Sequence, residues 1–176
     1  IHVPVTRAMG THGADSSAVN SELLWLEALS QDTDLVLQKP VRNQAGALVT
    51  QVPAKNAALP VNCTLMHWVA GQPYHRDLES EQTAHQIGEI LAKLHIHSSQ
   101  WEIPEGFNRP KRDIEYFERV LRRIQPALKD RRVSPADYSA FETSIALLTE
   151  TLRSPDENRQ TYGIMHADTH KGNMLY

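Results

Sequence analysis

Near the end of the chain, His166, Asp168 and Asn173 set an imidazole, a carboxylate and an amide at the spacing His-x-Asp-x-x-x-x-Asn. A carboxylate so placed can take the proton of an attacking hydroxyl, and an amide oxygen five positions on is a hard ligand suited to Mg²⁺. That is the equipment of phosphoryl transfer, which asks for positioning and charge neutralisation more than covalent work by the protein. Asp168 is the candidate catalytic base, His166 joins it by bracing the loop through hydrogen bonds, and Asn173 is the candidate metal ligand. Lys171 either brings positive charge to the transferred group or faces solvent. Gly172 is expected to let the backbone turn tightly so that Asn173 points at the metal. Three fixed residues in eight arise by chance on the order of once in a hundred chains of this length. Apolar residues at 163–165 and 174–176 flank the cluster, so the expectation is a catalytic loop strung between two short strands.

The elements that must position this loop are legible as periodicity. Val19, Leu23, Leu26 and Leu29 recur at helical spacing, with Asp15, Ser16 or Ser17 able to cap the helix. Residues 35–42 and 47–52 read as strands joined by a hairpin turn at 43–46, and residues 61–69 read as the strongest strand. From residue 81 the chain turns helical. Ala84, Ile87, Gly88, Leu91, Leu94 and His95 form one stripe over 81–98, and Ile114, Phe117, Val120, Leu121 and Ile124 another over 111–129. Ser134 and Pro135 open a last helix carrying Tyr138, Phe141, Ile145, Leu148 and Leu152. The class is α+β, with a composition boundary near Pro73.

Bulk numbers narrow the function. With 176 residues the chain can bury a real core. Eighteen basic against twenty-one acidic residues leave a net charge of −3, which argues against a nucleic-acid-binding surface. Cys63 is the single cysteine and cannot form an internal disulfide, so a reducing, cytoplasmic setting is expected, and no apolar run reaches the roughly 20 residues of a membrane span. Ile1 is not an initiator methionine, and the chain ends three residues after Asn173, so a piece of a longer protein is expected.

The run Gly163-Ile-Met-His-Ala-Asp-Thr-His-Lys-Gly-Asn-Met-Leu175 resembles the signature loop of the aminoglycoside phosphotransferase and choline kinase superfamily, commonly His-Gly-Asp-x-His-x-x-Asn or His-Ala-Asp-x-His-x-x-Asn. Residues 20–29 resemble the helix whose glutamate pairs with the nucleotide-positioning lysine or arginine. Residues 65–71 look like the final strand and hinge between lobes, and 88–95 are similar to the first long helix of the second lobe. The resemblance runs in the same order along nearly the whole chain. It implies a protein-kinase-like two-lobe fold with a small, incomplete β-rich N-lobe over residues 1–70 and a partial, mainly helical C-lobe over 71–176. It further implies an ATP- and Mg²⁺-dependent enzyme acting on a hydroxyl of a small molecule: an amino alcohol, an amino acid, a sugar or an aminoglycoside. By the same resemblance Glu22 is the partner of the nucleotide-binding cation, and backbone groups of Met66, His67, Trp68 and Val69 receive the adenine. A carboxylate early in a helix also favours the helix dipole without any such role. The family's glycine-rich loop with its lysine or arginine, and its second magnesium-binding acid, would lie upstream of Ile1 and beyond Tyr176, so these 176 residues alone are expected to be inactive.

Two other readings compete. His166 and Asp168, with a further histidine, resemble the two-His-one-carboxylate triad of non-haem Fe(II) oxygenases, provided residues 166–170 are extended so that His166, Asp168 and His170 share a face. A kinase-like binding module without catalysis is the other. His95 and His97 are two apart rather than the four that helical zinc sites use, and read as cap or loop contacts. Trp25, Trp68 and Trp101 read as packing residues, and Cys63 as a small apolar one.

Overall fold

The computed structural model describes residues 15–53, 59–72, 75, 77, 79–153, 158, 161–170 and 172–175, together with the backbone of Lys171. They fall into two compact units, Ile1–Arg109 with Gly163–Tyr176, and Pro110–Tyr162. The composition boundary near Pro73 falls inside the first unit, where the first two helices share one core.

Helix α1 (Ser16–Asp32) starts where Asp15 accepts the Ser17 backbone N–H at 2.9 Å and the Ser17 hydroxyl at 2.7 Å. Of the three possible caps Asp15 wins, because its carboxylate satisfies two donors at once and favours the positive end of the helix. The helix stops at Thr33, whose hydroxyl and backbone N–H both donate to the Leu29 carbonyl. Ser80 caps α2 (Glu81–Gln100) by accepting the Thr83 N–H at 3.1 Å.

The core lies between these helices. Trp25 and Leu29 of α1 meet Leu94 of α2, and Leu35, Leu37, Leu91, Trp101, Phe107 and Ile164 pack around them. Trp101 and Phe107 contact edge to face, with ring centroids 5.4 Å apart. The buried face of α2 is displaced from the expected stripe: Thr83, Leu94, His97 and Ser98 are buried, whereas Ala84, Gly88 and His95 are exposed. Periodicity alone ranked apolar residues above His97 and Ser98, both of which are buried because they have hydrogen-bond partners.

The strands are shorter than expected. β1 (Pro40–Val41) pairs with β4 (Leu65–Met66), and β2 (Thr50–Val52) pairs with β3 (Val61–Cys63), both antiparallel. The turn at 43–46 forms, with Gly46 at φ +80° and the Gly46 N–H donating to the Asn43 carbonyl at 2.9 Å. The expected hairpin is corrected, because the segments flanking the turn pair with 61–66 rather than with each other. The Asn43 side chain accepts the Ala45 and Ala47 N–H groups, and Arg42 donates to the Gly46 carbonyl, so the turn uses its polar groups internally. Residues 35–37 keep the period-two alternation, Leu35 and Leu37 half-buried and Val36 exposed, but belong to no ladder. Trp68, expected to pack, is 89% exposed in the irregular stretch after β4.

In the second unit, Asp113 caps α3 (Ile114–Lys129) through the Tyr116 N–H. Ser134 accepts the Asp137 N–H at the start of α4 (Pro135–Arg153). The two helices pack on each other. The expected α3 face is half-buried throughout, and Ile145 is the buried residue of α4. Among the described residues, no helix is long and apolar enough to cross a membrane.

The Ser17 hydroxyl, then the Ser17 N–H, hold the Asp15 carboxyl below its ordinary value. A depressed folded-state value means that the stabilisation is present above the unfolded carboxylate range and is lost as pH falls through the folded value. Asp15→Ala in the full-length protein should therefore lower the melting temperature at pH 7, and the gap from wild type should narrow below about pH 4. Thermal denaturation at pH 7 and pH 3 measures this; a gap that does not depend on pH would remove the carboxylate's role.

Candidate active site

The segment leading into the loop that carries Asp168 crosses α2 at one point. The Ile164 N–H donates to the Ser98 hydroxyl at 2.7 Å, and the Ile164 side chain packs on the Trp25–Leu29–Leu94 core. A Cβ on Gly163 would lie 2.7 Å from the same Ser98 oxygen, so this position has no room for a side chain. Residues 163–165 are irregular rather than the expected strand, because Ile164 is held by a side chain and not by a ladder.

Beyond this anchor the chain reverses at Ala167, which takes the left-handed φ of +60° that L-residues rarely adopt. The reversal lets the Asp168 N–H turn back to His166, whose Nδ1 accepts it at 3.3 Å. His170 caps a short 3₁₀ turn (Lys171–Asn173), its Nδ1 accepting the Gly172 N–H at 3.0 Å. The proton of a neutral His170 ring then sits on Nε2, which lies 3.6 Å from Asp168 Oδ1. A Cβ on Gly172 would meet the His170 ring at 2.9 Å, so Gly172 serves close approach of that ring rather than a positive φ. Asn173 Nδ2 closes the loop by donating to the Asp168 backbone carbonyl at 2.9 Å and to Asp168 Oδ2 at 3.0 Å.

The result is a carboxylate, 71% exposed, with one oxygen fixed by Asn173 and the other facing outward beside His170. With its amide nitrogen committed to Asp168, Asn173 has its side-chain oxygen as the atom of the right type for a hard cation. The oxygenase alternative needed 166–170 extended; the left-handed turn at Ala167 breaks that arrangement. Among the described residues, no group of three or more His, Cys, Asp or Glu side chains could hold a metal.

The other candidate residues lie on α1 and on the strand-to-helix link. Glu22 Oε2 accepts from Arg109 Nη1 at 2.9 Å, and Arg109 also reaches the Ala18 carbonyl at 3.4 Å. Next to it Asn108 donates to Asp15 and Ser17 through its side chain and to Ser21 through its backbone. Met66 pairs with Pro40, and the His67 N–H donates to the Lys39 carbonyl at 2.8 Å. Among the described residues, no backbone hydrogen bond engages Trp68 or Val69. Sequence reasoning missed Arg109 and Ser98, which nothing local distinguishes: their partners lie 87 and 66 residues away.

A model of the phosphotransferase enzyme family matches residues 11–176. Among solved structures, one of amicoumacin kinase hAmiN in complex with AMP-PNP, Ca²⁺ and Ami is similar at 22% identity and a TM-score of 0.69, covering 92% of this chain and 45% of that one. A structure of the microcompartment-associated aminopropanol kinase is similar at 24% identity and a TM-score of 0.62, covering 92% and 49%. The chain spans about half the length of these two proteins. At such identities the likeness establishes the fold, an α+β architecture shared with kinases.

Ala167 yields a direct test of the loop geometry. Ala167→Gly should leave the melting temperature unchanged or slightly raised, since relief of the left-handed strain offsets the added freedom of the unfolded chain. Ala167→Val, β-branched at positive φ, should cost about 1–2 kcal/mol. Denaturant melts of both variants in the full-length protein compare the two; equal stability would contradict the turn.

Proposed function

The chain belongs to the phosphotransferase enzyme family, and on that premise we propose that the full-length protein transfers the γ-phosphate of ATP to a hydroxyl of a small molecule. The observation that carries this is the Asp168–Asn173 pair: an exposed carboxylate clamped through one oxygen and open at the other, on a loop pinned to the core at Ile164.

In this reading the acceptor hydroxyl sits against Asp168 Oδ1. Its oxygen forms the new bond to the γ-phosphorus, the bond from that phosphorus to the β-phosphate oxygen breaks, and the hydroxyl proton passes to Asp168. ADP and the phosphorylated acceptor are the products. The Asn173 clamp fixes the carboxylate before the substrate arrives, so little reorganisation is left for the reaction itself. His166 and His170 hold the two turns on either side of Asp168. Mg²⁺, held by the Asn173 side-chain oxygen together with the nucleotide, would neutralise charge on the transferred group.

The nucleotide belongs on the side of residues 1–70, the smaller lobe in this proposal, with 71–176 the helical one. With Met66 and His67 already engaged in pairing, Trp68 and Val69 offer the backbone groups for the adenine. Glu22 presents its second oxygen to a nucleotide-positioning cation while Arg109 holds the first. The nucleotide analogue and divalent ion named with the amicoumacin kinase support the ATP and metal requirement, and the aminopropanol kinase supports an amino alcohol among the acceptor classes. An amino acid, a sugar or an aminoglycoside remains within the same class of hydroxyl acceptors.

The test is ADP release by the full-length protein across those acceptors with Mg²⁺ present. Asp168→Ala should lower kcat about 10²–10⁴-fold, the range for loss of a general base, and chelation of the metal should stop turnover. Near-normal turnover of Asp168→Ala would remove Asp168 as the base.

A further inference from the structure

Two successive residues at the end of α2 look in different directions. The His97 ring, 8% exposed, accepts the Trp25 indole N–H on Nδ1 at 3.2 Å and meets Asp32 Oδ2 through Nε2 at 3.0 Å, so it is held by α1 at two points. An indole nitrogen can only donate, which makes Nδ1 the acceptor and leaves Nε2 to donate to Asp32. The next residue, Ser98, is 9% exposed and turns its hydroxyl to the backbone entering the catalytic loop. Asp168 follows Ile164 by four residues, with the left-handed Ala167 between them.

We propose that Ser98 is a positioning residue for Asp168, acting through Ile164, and that Gly163 is its steric complement. Ser98 sets the height at which the chain leaves the core, and the missing side chain at 163 lets the backbone come close enough to be held. His97 ties the same turn of α2 to α1, so the helix bearing Glu22 and the loop bearing Asp168 share one anchor. The catalytic consequence rests on the reading of Asp168 as the base; the anchor itself does not.

The geometry makes an unusual demand on a pair of substitutions. In Gly163→Ala the new Cβ meets the Ser98 hydroxyl at 2.7 Å, but the Ser98 Cβ is 3.9 Å away. Removing the hydroxyl therefore removes both the hydrogen bond and the clash. In the full-length protein, Ser98→Ala should lower kcat by about tenfold to 10²-fold, the scale of a small misplacement of a catalytic group, with the KM for nucleotide changed less than about twofold. The Ile164 amide should exchange with solvent deuterium on the order of tenfold faster. Gly163→Ala should lose at least as much activity or fail to fold. The double variant Ser98→Ala/Gly163→Ala should be no worse than Ser98→Ala alone, recovering folded protein if the single glycine variant is lost.

A merely structural contact would not confine its effect to kcat, and independent defects would add in the double variant. Additive losses, or an Ile164 amide that exchanges at the wild-type rate in Ser98→Ala, would overturn the anchor. An equal change in KM and kcat would overturn the positioning role. Absence of phosphoryl transfer by the wild-type protein would instead defeat the functional reading, and amide exchange together with recovery in the double variant distinguishes that failure from failure of the anchor.

Discussion

The placement of the loop that carries Asp168 depends on a close approach between the Ser98 hydroxyl and the backbone at residues 163 and 164. Ile164 is held from both sides of its chemistry, with its N–H on the Ser98 oxygen and its side chain against Trp25, Leu29 and Leu94. Leaving such an N–H without a partner inside the fold costs about 1–3 kcal/mol. Moving the loop outward would also strip apolar contact from the core. Polar and apolar terms therefore favour the same position, which is how a segment without strand pairing can be fixed in place.

The same turn of α2 is committed to α1 through His97. A buried imidazole is stable only if both nitrogens find partners, and Trp25 and Asp32 supply one donor and one acceptor. The indole brings large apolar area to the core while its one polar atom is satisfied. Such a contact prevents α2 from rotating about its axis, since a rotation that released His97 would also withdraw Ser98. Further along α1, Glu22 is bound to Arg109 and the Asp15 cap to Asn108, so the helix is tied at both ends to residues that follow α2 or lie on it.

Within the loop the forces are local. Ala167 accepts a backbone conformation costing roughly 1–2 kcal/mol, and the hydrogen bonds to His166, His170 and Asn173 hold the reversal around Asp168. A small strain offset by short-range bonds holds the Asp168 carboxylate in one orientation. That suits the proposed phosphoryl transfer, in which the protein contributes position and charge.

The loop's residue types were readable because the imidazoles, carboxylate and amide lie within eight positions, close enough for backbone geometry alone to bring them together. Helices α1, α2 and α4 were readable from periodicity, Ser134 and Pro135 marking the start of α4, and the one-sided apolar pattern announced α3. The choice of Asp15 over its neighbours, the left-handed Ala167 and the exposure of Trp68 were not. Nor were the pairings Ser98–Ile164, Trp25–His97 and Glu22–Arg109, separated by 66, 72 and 87 residues. Strand partners were misread for the same reason: the turn at 43–46 is local, but the residues flanking it pair with 61–66. Propensity, capping and motif spacing act between near neighbours and so determined which segments form and which residues are candidates for chemistry. Which buried polar groups satisfy one another, and hence where the loop stands, was decided only when distant segments met and had to share a common interior.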